Sequence, residues 1–273
     1  MYLRDSLSGY GAQMSDARPP LHVGWIAGVF ICAAVSLVLL PHVAQDESCH
    51  AFADHRTIWA IPNFWNVVSN LPFAIVGVWG LWRLRSTSAR VLSTGLLLTC
   101  VGSAYYHLAP SDTRLIWDRL PMTLVFMSFL AAVMAEGRSP RWEVLILSPL
   151  LVVGLGSVWW WKASGDLLPY VLVQFGPAIV MLPAFRRATG KRWLWRIAAL
   201  YAAAKIAELC DLSIYSALPW SGHTWKHLLG AAAGYCIVRW FCDSSQTVIR
   251  SSGDNLTSSV VSIYNEGGSD SAV

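Results

Sequence analysis

The chain has 273 residues, of which 55% are hydrophobic and 13% charged. A soluble domain carries about 25% charged residues, so this composition excludes an ordinary soluble fold. The net charge of +4 does not point to a nucleic-acid partner, because the basic residues sit in short segments between apolar runs, the pattern of membrane-orientation signals.

No Asp, Glu, Lys or Arg occurs between Arg18 and Asp46, between Arg56 and Arg83, between Glu143 and Lys162, or between Asp166 and Arg186. About 20 apolar residues cross the hydrocarbon core as a helix. In chain order the apolar runs predict eight helices, at 21–41, 63–83, 90–108, 119–136, 143–161, 167–186, 194–213 and 223–242. The first follows a mixed-charge segment, 1–20, and lacks a small-residue cleavage site, so it reads as a retained span rather than a signal peptide. The fifth ends in Trp159, Trp160 and Trp161, the composition of an interfacial aromatic belt. In the eighth, the Gly and Ala run from Gly230 to Gly234 suits close helix packing. From about Gln246 the chain is rich in Ser, Gly, Asp and Asn, and 243–273 is expected to be a disordered tail. The six cysteines show no CxxC and lie mostly within apolar runs, as small hydrophobes do.

Lys and Arg concentrate after the even-numbered helices: Arg83, Arg85 and Arg90, then Arg138 and Arg141, then the cluster from Arg186 to Arg196. That bias puts those loops and both termini on the cytoplasmic side, and the loops after helices one, three, five and seven outside. The same topology gathers the polar residues of the apolar runs at one leaflet. His223 and His227, at i and i+4 on one helical face, open helix eight there. Ser103 and His107 repeat the spacing at the end of helix three, Asp118 opens helix four, and Ser69 and Asn70 lie in the first turns of helix two, where they are expected to line a substrate cavity.

Three neutral histidines suit a catalytic zinc, which takes three protein ligands and keeps a fourth position for water. The metal lowers the pKa of that water towards ~7. A carboxylate such as Asp118 could move its proton, and Ser103 could donate to a developing oxyanion. At a helix start, Asp118 also has the position of a plain N-cap. The remaining histidines, His22, His42, His50 and His55, read as solvated side chains near helix one and the loop after it. Neither GxSxG nor HExxH occurs, which argues against a serine-elbow hydrolase and the zincin proteases.

The segments "FWNVVSN", "SAYYH" with Asp118 eleven residues past His107, and "HTWKH" together resemble the alkaline ceramidase family, within a superfamily of seven-helix membrane hydrolases that includes the adiponectin-type receptors. The resemblance covers about 63–242. It implies an all-α integral membrane fold, a bundle of seven transmembrane helices, with the helix in 21–62 as an extra N-terminal one. It implies His107, His223 and His227 as zinc ligands, Asp118 as the water-activating or supporting carboxylate and Ser103 as the oxyanion partner. The implied substrate is ceramide or another N-acyl lipid, cleaved at its amide bond. One departure stands out: Asn63 occupies the place of a glutamate that belongs to an acidic calcium site in eukaryotic members. Asp54 and Asn63 remain as candidate oxygen ligands, and a dedicated calcium site is in question.

Helix seven carries Lys205, Glu208 and Asp211 three residues apart. Charges at membrane depth face the bundle interior and pair with one another, either as a lock between helices or as part of a cavity for a polar head group. The expectation is a zinc-dependent membrane amidohydrolase. Its rivals are a receptor-like member of the same superfamily and, without a convincing inverted repeat, a transporter using those charges as an ion path.

Overall fold

The computed structural model describes residues 23–267, with side chains over 23–244; the expected cytoplasmic segment 1–20 and His22 lie outside these. Among the described residues the chain is helical, with one isolated bridge between Ile58 and Ile61. The helices are α1 (Val23–Leu39), α2 (Phe64–Val68), α3 (Leu71–Arg83), α4 (Thr87–Leu108), α5 (Asp112–Ala135), α6 (Pro140–Ser164), α7 (Leu168–Val180), α8 (Ala184–Arg187), α9 (Lys191–Leu209), α10 (Asp211–Ala217) and α11 (Gly222–Gly267). The last continues past residue 242, where the sequence suggested an end.

Local chemistry sets most boundaries. Ser86 and Ser111 accept hydrogen bonds from the backbone N–H groups of Ala89 and Arg114, capping α4 and α5. Pro140 opens α6 where its missing donor costs nothing, and Gly165, at φ +75°, closes it in the left-handed conformation that glycine allows. Two apolar runs are each broken into two helices: 64–83 at Ser69–Asn70, and 168–187 just before Pro183.

Five segments are long and apolar enough to cross a membrane by length and composition: Phe64–Arg83, Thr87–Leu108, Asp112–Ala135, Pro140–Ser164 and Leu168–Arg187. α1 is apolar but has 17 residues, and α9 and α11 are not among the five. Neighbours in the chain pack against each other, and α11 closes the bundle against α9 and α3. The core between them is built on Leu92, Leu96, Met127, Leu194 and Val238, each almost wholly buried. α1 buries none of its residues and leans on α7, where the Trp25 indole N–H donates to the carbonyl of Val180 at 3.0 Å. All six cysteines are free.

Candidate metal centre and cavity

His107 sits in the last turn of α4, and His223 and His227 in the first two turns of α11. The start of α11 is held by Asp211, whose Oδ1 accepts the His223 backbone N–H at 2.7 Å, and by Ser221, whose Oγ accepts that of Thr224 at 3.3 Å. These bonds satisfy donors that a helix N-terminus otherwise leaves open. The three imidazoles are buried, and their candidate ligand atoms lie within 4.8 Å of one another. His107 Nε2 and His227 Nε2 are 3.3 Å apart, and His223 Nε2 is buried with no partner. Buried polar atoms are normally satisfied, and a cation among three imidazole nitrogens would satisfy these. The donor set is compatible with zinc, which accepts nitrogen where magnesium and calcium prefer oxygen.

Polar residues of α2 and its approach hold this cluster. Ser69 Oγ is 2.8 Å from His227 Nδ1, the Asn63 amide donates to the carbonyl of His107 at 2.8 Å, and Asn66 accepts from the Thr224 hydroxyl at 3.0 Å. Ser69 does not line the substrate cavity expected of it but stands behind His227. Phe52 covers the cluster, with ring centroids 4.7 Å from His107 and 4.5 Å from His223. His50 is not a freely solvated side chain, since its two nitrogens reach the Tyr106 hydroxyl at 2.8 Å and Asp112 at 3.1 Å. His55 is exposed, and exposed His42 lies 3.2 Å from the carbonyl of Ser164. Phe52, Asn66 and the role of His50 carry no spacing signal, because they depend on how the loop after α1 folds over the bundle.

Asp118 does not open a helix. α5 begins at Asp112 under the Ser111 cap, so Asp118 lies nearly two turns inside it and is not an N-cap. There it lies beside Ser103 of α4, on the same cavity wall. The two helices meet closely enough that a Cβ on Gly102 would collide with the carbonyl of Trp117. A glycine directly before the serine thus lets the backbone bearing it approach the backbone bearing the aspartate.

A cavity of about 310 Å³ runs from this cluster into the bundle. One end is lined by Ser103, Asp118, His223 and His227, with the wholly buried Asn70; the other by apolar groups such as Phe129, Met181, Leu194 and Ile237. Lys205 and Glu208 line it, joined by Lys226: the Glu208 carboxylate accepts Lys205 at 2.5 Å and Lys226 at 2.6 Å. Asp211 is not part of that set, because α9 ends at Leu209 and Cys210 turns the chain. Its second oxygen accepts the N–H of Ala53 at 2.8 Å, tying the covering loop to the start of α11. Trp159 and Trp160 are exposed, as in a belt, but Trp161 is buried, its ring 4.1 Å from the Arg119 guanidinium.

The candidate calcium ligands do not fit that ion. Asp54, 1% exposed, receives Arg56 Nε at 2.8 Å and Nη2 at 2.5 Å, so a guanidinium already neutralises it. Asn63 turns its nitrogen, not its oxygen, to the neighbouring backbone. Burial pushes the Asp54 carboxyl up, but the hydrogen bonds and charge of Arg56 more than offset this and hold it below the usual carboxylate range.

Fold and site together define a class, a helical protein with membrane-length apolar segments and a metal-compatible histidine cluster at the polar end of an apolar cavity. The family model described as Ceramidase matches residues 45–255, and the chain belongs to that family. No curated protein matches it. Membership implies an amide hydrolase acting on ceramide, a lipid substrate and association with membrane.

Proposed function

We propose that the protein is a zinc-dependent integral-membrane amidohydrolase that cleaves ceramide or a related N-acyl lipid to a fatty acid and an amine. The observation that carries this reading is the convergence of His107, His223 and His227 with the Ser103–Asp118 pair at the polar head of a cavity whose depth is apolar. An acyl chain suits the apolar depth, which leaves the amide at the histidines. Zinc held there would supply Lewis-acid polarisation of the carbonyl and an acidified water at neutral pH.

The chain's own groups do the rest. Asp118 accepts a proton from the attacking water and returns it to the leaving nitrogen, and Ser103 donates to the oxygen on which charge develops. Ser69 fixes the ring of His227. In this reading α9 and α11 also cross the membrane, completing seven spans over 63–242 with α1 as an eighth. Both termini are then cytoplasmic and the histidines lie near the outer leaflet.

Purified protein incubated with N-acyl lipids should release free fatty acid. His227→Ala should abolish release, and Asp118→Asn should lower it by roughly 10²–10⁴ while zinc is retained. No release by the wild type from any ceramide or N-acyl lipid would favour the receptor-like alternative.

A further inference from the structure

Arg119 follows Asp118 in α5 and lines the same cavity, yet nothing in the proposed chemistry uses it. It is 9% exposed, and its Nη1 is buried without a partner. Its guanidinium lies 4.1 Å from the Trp161 ring and 4.8 Å from that of Tyr170, while Nη2 donates to Gln45 at 2.5 Å. Among the described residues it forms no ion pair. The other charged residues of the cavity are Asp118, Lys205, Glu208 and Lys226, so the lining holds three cations against two carboxylates. Glu208 is shared by the two lysines, and Asp118 feels the charges of Lys226 and Arg119 without forming an ion pair with either.

A buried charge with no direct ion pair is costly. Two aromatic faces and one amide offset part of that cost, but none of them supplies negative charge. The guanidinium is a fork for carboxylate or phosphate. Its position is informative too, since Trp161 and Tyr170 cluster with Tyr106, whose ring is 4.8 Å from that of His107, and Tyr170 lies in the first turn of α7 whereas Met181, at the apolar end, follows its last. A ligand with its chain in the apolar depth therefore presents its head group, not its tail, to Arg119.

We propose that, beside ceramide, the cavity accepts N-acyl lipids of small amines and among these prefers one whose amine portion bears an anionic group, a carboxylate or a phosphate, with Arg119 as the specificity-determining cation. The proposal rests on the N-acyl-lipid reading of the cavity, but its test is binding rather than turnover. Equilibrium binding of N-palmitoylglycine, neutral N-palmitoylethanolamine and palmitate is measured with the purified full chain in detergent, and fatty-acid release is followed in the same samples. Wild type should bind N-palmitoylglycine about 10- to 100-fold more tightly than N-palmitoylethanolamine, the range of a hydrogen bond to a charged group.

Arg119→Gln should bring that ratio near one, Arg119→Lys should keep much of it, and Lys205→Gln should leave it in place. Equal binding of both lipids by wild type overturns the proposal, and this holds even if Arg119→Gln does not fold. A ratio that survives Arg119→Gln, or is lost in Lys205→Gln, overturns it as well. Tight palmitate binding without a preference for N-palmitoylglycine would assign Arg119 to the product's carboxylate and reject the substrate assignment. A preserved ratio with no fatty-acid release from either lipid would instead refute the enzyme reading and leave the anion site standing.

Discussion

Ser69 and His227 are separated by 158 positions in the chain, and their side chains meet at 2.8 Å. The contact occupies Nδ1 of the imidazole, which leaves Nε2 facing His107. A partner on one ring nitrogen sets both the tautomer and the orientation of the other. Such supporting groups typically contribute 10- to 100-fold to metal affinity. Ser69→Ala should therefore keep the fold but weaken zinc binding by roughly that factor, measured by chelator competition. His223→Ala with His227→Ala should remove the metal altogether. Unchanged zinc affinity in Ser69→Ala would make the serine a packing residue only.

Gly102 tests whether the approach of α4 to α5 matters to the chemistry. A methyl added there meets the carbonyl of Trp117, which is backbone and cannot rotate away. Gly102→Ala should cost about 1–3 kcal/mol, as overpacking does, seen as a lower melting temperature in detergent. Because the strain falls between Ser103 and Asp118, hydrolysis should drop further than the lost stability explains when assayed well below that temperature. A variant with wild-type stability and rate would contradict the close contact.

How much of this was readable without coordinates depended on sequence distance. His223 and His227 share a helical face by spacing alone, as do Ser103 and His107, and the loop charges suggested one leaflet for all of them. Asp118 was assigned to a helix start because Asp112 and Arg114 look like loop residues to a hydropathy reading; the cap signal was Ser111, three residues before Arg114. The turn at Cys210 contains neither glycine nor proline, so the spacing places Asp211 on the face of Lys205 and Glu208 although the helix has already ended. Asn63 and Asn66 belong to a motif that was recognised, but their bonds to His107 and Thr224 join segments 44 and 158 residues apart. Local periodicity carries no such information.

The Asp54–Arg56 pair gives a pH dependence with a defined sign. The folded carboxyl titrates below its unfolded value of about 3.9. The pair's stabilisation is thus present above that value and is lost as pH falls through the lower, folded one. Arg56 also donates to the carbonyl of Pro219 at 2.7 Å, so the loss should loosen the approach to α11. Asp54→Asn should melt below wild type at pH 7, and the gap should narrow below about pH 4. A gap that is constant from pH 7 to pH 3 would show that the charge of Asp54 is not what stabilises the loop.

The proposed orientation is tested by reporter fusions. Fusions after Arg85 and after Arg187 should report the cytoplasm, and a fusion after Ser111 the outer side. Finding Ser111 and Arg187 on one side would refute it.

His107 is fixed before the midpoint of the chain, whereas His223 and His227 arrive with its last described helix. During synthesis the first two-thirds of the bundle therefore leaves the ribosome with one of the three imidazoles and most of the cavity wall. A nascent chain at that stage holds neither a metal nor a competent carboxylate–histidine arrangement. If the protein is the lipid hydrolase proposed, cleavage of the surrounding bilayer's lipids is deferred until α11 joins the bundle, and that last step, rather than any added inhibitor, switches the activity on.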